Sequence, residues 1–235
     1  REGGREYVWQ TCYGISERVV AAVIAIHGDD HGLVLPPTVA PIQVVIIPIP
    51  YKGYGEKVKE KASALAQTLK QAGFTVHLDL REKYTPGSKF YDWELKGVPV
   101  RVEIGPRDLE KGTITMVRRD SLERKVVAEG EAVQALTSLL SQIQESLKSR
   151  ASEWLRQRLK RFSSIDEAKT FLERGELQGV IELPWCGKTE CGMALEEELN
   201  LKALGTPYPE EKPSGVKCAQ CGGEAESYLR LSRQY

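Results

Sequence analysis

Four cysteines toward the C-terminal end have the residue type and spacing for metal chemistry. Cys186 and Cys191 form a C-x4-C pair, and Cys218 and Cys221 form a C-x2-C pair closed by Gly222 and Gly223. Two short-spaced thiolate pairs brought from distant segments suit tetrahedral zinc, and small residues beside the ligands allow the tight loops such a site needs. The pattern predicts one structural Zn2+ with four ligands and no open position, the alternative being free thiols or a redox pair. The fifth cysteine, Cys12, stands apart in a second stretch of interest, Thr11 to Arg18, which reads TCYGISER and runs into an apolar segment. Gly14 and Ser16 just before Arg18 read as a strand-to-helix turn where a ligand can approach the backbone. The alternative is a buried helix with an ordinary cap, Ser16 supplying the side-chain oxygen.

These residues need elements to hold them. After Arg18, residues Val19, Val20, Val23, Ile24 and Ile26 predict a helix apolar on more than one face, one that must be buried against something large. An extended connector follows, LVLPPTVAP, in which Pro36, Pro37 and Pro41 oppose helix. From Gln43 strands and helices alternate. VVIIPI reads as a fully buried strand. Val58, Ala62, Leu65, Ala66, Leu69 and Ala72 recur at helical spacing from about Glu56, with Gly73 as the left-handed terminator. FTVHLDL, Phe74 to Leu80, predicts a strand with Phe74, Val76, Leu78 and Leu80 inward and Thr75, His77 and Asp79 outward. Val98 to Ile104 is a further strand that places Arg101 and Glu103 on an open face, Thr113 to Arg119 another, and Glu129 to Leu147 a long helix. The result is an α/β unit with a mixed sheet, ending near Arg150.

A charged helical stretch, Trp154 to Phe162, leads into the last unit. There Ser164 and Glu167 make a reciprocal capping pair and Gly175 closes the helix. The strand GVIELP, Gly179 to Pro184, delivers the chain to Cys186, and ESYLRL, Glu226 to Leu231, reads as strand. The last unit is therefore a small α+β domain around the cysteines.

The 235 residues are 41% hydrophobic and 28% charged, enough to bury a real core. No stretch approaches the ~18 uninterrupted apolar residues of a membrane span. No secretory signal opens the chain, so a cytoplasmic location is expected. The 33 basic side chains balance 33 acidic ones, so any nucleic-acid binding must come from a local patch rather than a global field.

TCYGISER is similar to the third signature motif of class II aminoacyl-tRNA synthetases. With the continuation HGDDHGLVLPP at His27 to Pro37, the block YTPGSKFYDWELKGVPVRVEIGPRDLEKG at Tyr84 to Gly112, and the cysteine unit, the whole chain resembles prolyl-tRNA synthetases of the archaeal and eukaryotic type. The resemblance implies three parts: residues 1–40, the end of a class II catalytic α+β domain; 41–150, an anticodon-binding α/β domain; and 151–235, the zinc-binding domain. It implies that Arg18 holds the ATP phosphates, a role its permanent charge and several donors suit. Thr11, Cys12, Tyr13 and Gly14 would line the prolyl-adenylate pocket, with Ser16 near the nucleotide. Cys12 and Tyr13 depart from the family's TSWG or NSWG, so the pocket's shape is expected to differ there. Arg81, Lys89, Glu94, Arg101 and Glu103 are the implied tRNA anticodon contacts, with Phe90 or Tyr91 stacking on an unpaired base. For Arg101 and Glu103 the alternative is a solvated strand face with an ion pair. The terminal Tyr235 would place its carboxylate near the active site.

The implied activity is that of a proline–tRNA ligase, with proline, ATP, Mg2+ and tRNA(Pro) as its small molecules and partner, in a homodimer. The first two signature motifs of that family are not among these residues, so the chain by itself is expected to bind tRNA and zinc without aminoacylating. The runner-up is a non-catalytic anticodon-binding and zinc module.

Overall fold

The computed structural model describes residues 10–51, 53–175 and 179–233, which divide into two units, 1–149 and 150–235. In the first, helix α1 (Arg18–His27) precedes β1 (Val44–Pro48), α2 (Gly55–Gln71), β2 (Val76–Leu78), α3 (Pro86–Leu95), β3 (Val100–Ile104), α4 (Pro106–Lys111), β4 (Thr113–Arg118) and β5 (Arg124–Ala128). Helix α5 (Ala132–Arg158) closes it and runs past residue 149. The five strands lie in the order β2-β1-β3-β4-β5, with β1 parallel to β2 and β3, and the β3–β4 and β4–β5 pairs antiparallel. This is the expected mixed sheet.

Strand alternation sorts the sheet into two faces. Val44, Ile46, Val100, Val102 and Ile104 pack with Val58, Leu65 and Leu69 of α2 and Leu136, Leu140 and Ile143 of α5. Val45 and Ile47 point the other way, against Trp93 and Phe90 of α3. Both faces of β1 and β3 are thus covered, and all five residues of each strand are buried. Helix α2 stops where expected. Gly73 has φ +94°, its N–H donates to Lys70 O at 3.0 Å, and Phe74 N–H reaches back to Leu69 O at 3.1 Å, a Schellman closure that glycine takes without steric cost. Helix α3 starts on Thr85, whose Oγ1 accepts from Ser88 N–H at 3.2 Å, with Pro86 as its first residue.

Several local expectations are corrected. Strand β2 ends at Leu78, so the alternation breaks: Asp79 turns inward and is buried, while Leu80 is exposed. Helix α1 forms, but Glu17 occupies the cap position in helical conformation, and no side chain caps it; Ser16 contributes its backbone carbonyl to Val19 N–H instead. No described residue supplies the expected cover for α1, and Val19, Val20, Ile24 and Ile26 are exposed. The charged stretch from Trp154 is helical only to Arg158, after which Leu159–Arg161 is strand β6.

The second unit contains β6, α6 (Ile165–Glu173), β7 (Val180–Trp185), α7 (Thr189–Leu199), β8 (Lys202–Gly205) and β9 (Ser227–Ser232). Its sheet runs β6-β7-β9-β8, parallel only between β6 and β7. Ile181, Leu183, Leu229 and Leu231 pack on one face with Ala168, Leu195 and Leu199. On the other face Glu182 is fully buried and accepts from Arg161 at 2.7 and 2.9 Å and from Arg230 at 2.8 Å, so the buried carboxylate is compensated by two guanidinium groups. Ser164 Oγ accepts from Glu167 N–H as expected, but Glu167 reciprocates to the N–H of Ser163 rather than that of Ser164.

Candidate metal centre and nucleic-acid interface

Strand β7 ends one residue before Cys186. Gly187, at φ +80°, turns the chain into α7, whose first turn carries Cys191. Cys218 and Cys221 sit on a hairpin-like loop held by Cys218 N–H to Gly223 O (2.7 Å) and Gly222 N–H to Cys218 O (3.0 Å), with Gly222 at φ +71°. Ala219 N–H donates to Pro184 O at 2.9 Å, which anchors that loop to the end of β7. All four sulfurs lie within 4.8 Å of one another, and Cys186 and Cys221 are 3.7 Å apart. Four sulfurs at ~2.3 Å from a tetrahedral ion lie roughly 3.8 Å apart, so side-chain adjustments of about an ångström or less would let the cluster hold a metal such as zinc. None of the five cysteines is in a disulfide, and Cys12 is exposed and distant in sequence from the other four. Burial and the neighbouring thiols push Cys191 up to about 12. The Gly223 N–H beside Cys221 lowers its thiol to about 7. A cation removes the penalty of gathering several thiolates in one place.

The anticodon candidates come together around α3. Burial raises the Asp79 carboxyl, but the hydrogen bonds of Arg81 and Trp93 outweigh it and hold the group well below the usual carboxylate range. Arg81 Nη2 lies 2.7 Å from both Asp79 Oδ2 and Asp92 Oδ2, and Trp93 Nε1 donates to Asp79 Oδ2 at 2.8 Å. Lys89 is buried and donates through Nζ to the Asp79 carbonyl at 3.1 Å. The guanidinium of Arg81 also stands 4.9 Å from the exposed ring of Tyr84. Pro48, Pro50, Lys59, Arg81, Tyr84 and Lys89 line a cleft of about 230 Å3. It opens at the carboxyl ends of β1 and β2, where open α/β sheets take their ligands.

The second group is a chain of charges. Arg101 Nη1 donates to Glu94 Oε1 at 2.6 Å and its Nε to Glu103 Oε1 at 3.0 Å, while Arg124 pairs with the other oxygen of Glu103. Arg101 lies over Phe90 at 4.2 Å. The expected open face is therefore covered: Arg101 and Glu103 are 8% and 3% exposed, because α3 lies over this side of β3. Neither the open face nor the solvated ion pair describes them. What the sequence did not single out is the support of these residues. Asp79, Trp93 and Arg124 hold the candidates in place, and the Asp79-x-Arg81 spacing was the available signal.

At the other end of the unit, Thr11, Cys12, Tyr13, Gly14, Ser16 and Arg18 are all exposed, and residues 10–16 have no regular structure. These residues share one short stretch but enclose no pocket among the described residues. Tyr235 lies outside the described residues.

The first unit is a mixed-sheet α/β domain with cationic side chains at its carboxyl edge, and residues 43–139 match the family described as "Anticodon binding domain". Residues 165–235, which include the cysteine cluster, match "Prolyl-tRNA synthetase, C-terminal". Along its whole length the chain is similar to part of curated proline–tRNA ligases. It is 53% identical over 237 residues to the proline–tRNA ligase of Pyrococcus horikoshii, which aligns with 100% of this chain and 49% of that protein. It is 51% identical to that of Thermococcus kodakarensis, with 99% and 48% covered, and 48% identical to that of Aeropyrum pernix, with 100% and 49% covered. The chain thus spans about half the length of the curated relatives it matches.

Proposed function

We infer that this chain is the tRNA-reading and metal-binding part of a proline–tRNA ligase. The observation that carries the inference is identity near one half, sustained across all of the chain, to ligases of that name. In the reaction the proline carboxylate attacks the α-phosphorus of ATP, pyrophosphate leaves, and the prolyl group passes from the adenylate to a hydroxyl of the terminal tRNA ribose, releasing AMP. Charge accumulates on the phosphates in the first step, so a fixed guanidinium there lowers the barrier. Arg18, at the first turn of α1, is the residue suited to that position, with Thr11, Cys12, Tyr13, Gly14 and Ser16 forming part of the adenylate pocket. Bound Mg2+ would supply further neutralisation of the phosphates.

Residues 1–40 then belong to the catalytic domain, 41–150 read the anticodon, and 151–235 form the zinc domain. Arg81 and Lys89, which line the cleft, bind the anticodon by donating to guanine O6 and N7, while the ion-paired Glu94 of α3 and Arg101 and Glu103 beneath that helix support the surface. Arg81 and Tyr84 provide a stacking surface beside the cleft. The four cysteines hold Zn2+ as a structural ion, since four thiolates leave no position for substrate. The exposed apolar side of α1 fits a helix that packs on a catalytic sheet, and the complete enzyme is expected to be a homodimer working in the cytoplasm.

Proline-dependent ATP–pyrophosphate exchange by the complete polypeptide, together with tRNA(Pro) binding by residues 1–235, tests this. Exchange by the first and binding by the second are expected. Binding without exchange would favour a non-catalytic RNA-binding module, and neither would overturn the assignment.

A further inference from the structure

Arg119, just after β4, has a side chain only 2% exposed. It makes contacts in two directions. Nη1 and Nη2 donate to Asp29 Oδ2 and Oδ1 at 2.8 and 2.6 Å, while Nε donates to the backbone carbonyl of Glu94 at 2.9 Å. Asp29 directly follows Gly28, whose N–H closes the end of α1 on Ile24 O at 2.8 Å. Glu94 is the residue whose carboxylate holds Arg101. One guanidinium therefore joins the exit of the helix that carries Arg18 to the last turn of α3.

The same two stretches are also joined through their backbones. Leu33 N–H donates to Leu95 O at 3.0 Å and Leu35 N–H to Gly97 O at 3.3 Å, while Asp29 and Gly32 exchange hydrogen bonds at 3.1 and 3.0 Å. The approach is close enough to exclude side chains: a Cβ on Gly32 would lie 2.7 Å from Leu95 Cα, and one on Gly97 2.6 Å from Leu33 Cβ. The path from α1 to the last turn of α3 has little slack.

We propose that Arg119 is a positioning residue that links the last turn of α3, the helix that carries Lys89 into the RNA cleft, to α1, so that engagement of the anticodon sets the helix bearing Arg18. The proposal rests on the function inferred above. A bidentate arginine–carboxylate pair is directional. If the last turn of α3 shifts when RNA engages the cleft at Arg81 and Lys89, Arg119 keeps both sets of hydrogen bonds only if Asp29 follows. A buried guanidinium left short of partners is unfavourable, which forces the two ends to move together.

The test uses the complete polypeptide and its Asp29→Asn, Asp29→Glu and Arg119→Lys variants. Asp29→Asn removes the charge at a partly exposed position, so the fold is expected to survive, and thermal unfolding checks this. Lysine keeps the charge at position 119 but loses the fork geometry. The expected result for Asp29→Asn and Arg119→Lys is a kcat for prolyl-tRNA formation lowered about tenfold, within the usual range of coupling between sites. The tRNA Kd and the proline-dependent ATP–pyrophosphate exchange without tRNA should change less than about twofold, and Asp29→Glu should restore most of kcat. An unchanged kcat would overturn the proposal. So would an equal fall in tRNA-free exchange, which would mean a general loss of site structure, or a loss confined to the tRNA Kd. A wild-type enzyme unable to form prolyl-tRNA would overturn the underlying function instead.

Discussion

Glu103 shows how tightly a single side chain can be constrained. It is 3% exposed and lies between Arg101 and Arg124, so its charge is compensated on both sides. Glu103→Gln removes the charge and leaves two guanidinium groups short of a partner, one of them buried. Urea denaturation should show a loss of about 3 kcal/mol, the scale for breaking a buried pair from one side. Asp29 gives a prediction in pH. The Arg119 hydrogen bond holds its carboxyl at about 2, against an ordinary 3.8. A depressed folded-state pKa means that the stabilisation is complete above about pH 4 and is lost as pH falls toward 2. The stability difference between wild type and Asp29→Asn should therefore be constant near neutrality and shrink between pH 4 and 2, as a series of urea midpoints would show.

At the scale of elements, the joint between residues 29–35 and the end of α3 depends on two glycines. Gly97 has φ +72° and faces Leu33 without room for a Cβ. Gly97→Ala combines left-handed strain with a steric overlap, and should destabilise the first unit by about 2 kcal/mol or more. Gly73→Ala is the control: it has φ +94° but open space around it, so it should lose about 1 kcal/mol from backbone strain alone. Equal losses in calorimetry would contradict the packing argument. Much of the element list was legible. The period of α2, its glycine stop, the all-apolar β1 and the strand leading to Cys186 follow from local pattern. The burial of Arg101 and Glu103 was not legible, because alternation shows that a strand has two faces and not that a second helix covers the polar one. Asp79 was misplaced for a related reason: the strand ended two residues before Leu80, and a carboxylate could turn inward only because Arg81, Trp93 and Lys89 were there to meet it.

At the scale of the whole molecule, the two units are expected to respond differently to metal removal. The second unit has a modest core around Ile181, Leu183, Leu195 and Leu231, and it contains all four clustered cysteines. The first has its own larger core and none of the four clustered cysteines. Chelation, or Cys218→Ser, should lower the unfolding temperature of residues 150–235 while leaving that of residues 1–149 unchanged in differential scanning calorimetry, since binding free energy at such a site is folding free energy. Elemental analysis should return one zinc per chain. A single transition that shifts as a whole would contradict independent units.

The sequence by itself determined the four cysteines that cluster, the period and ends of most elements, the mixed α/β class and the resemblance to prolyl-tRNA synthetases. Each of these rests on local spacing, residue type or a motif that tolerates little variation. The tertiary structure decided which polar side chains are buried and what meets them: Asp79 under Arg81 and Trp93, Glu103 between two arginines, and Asp29 on Arg119, ninety residues away along the chain. Such pairings have no local signature, because a charge is placed inside a protein by whatever opposite charge the packing of distant elements brings to it.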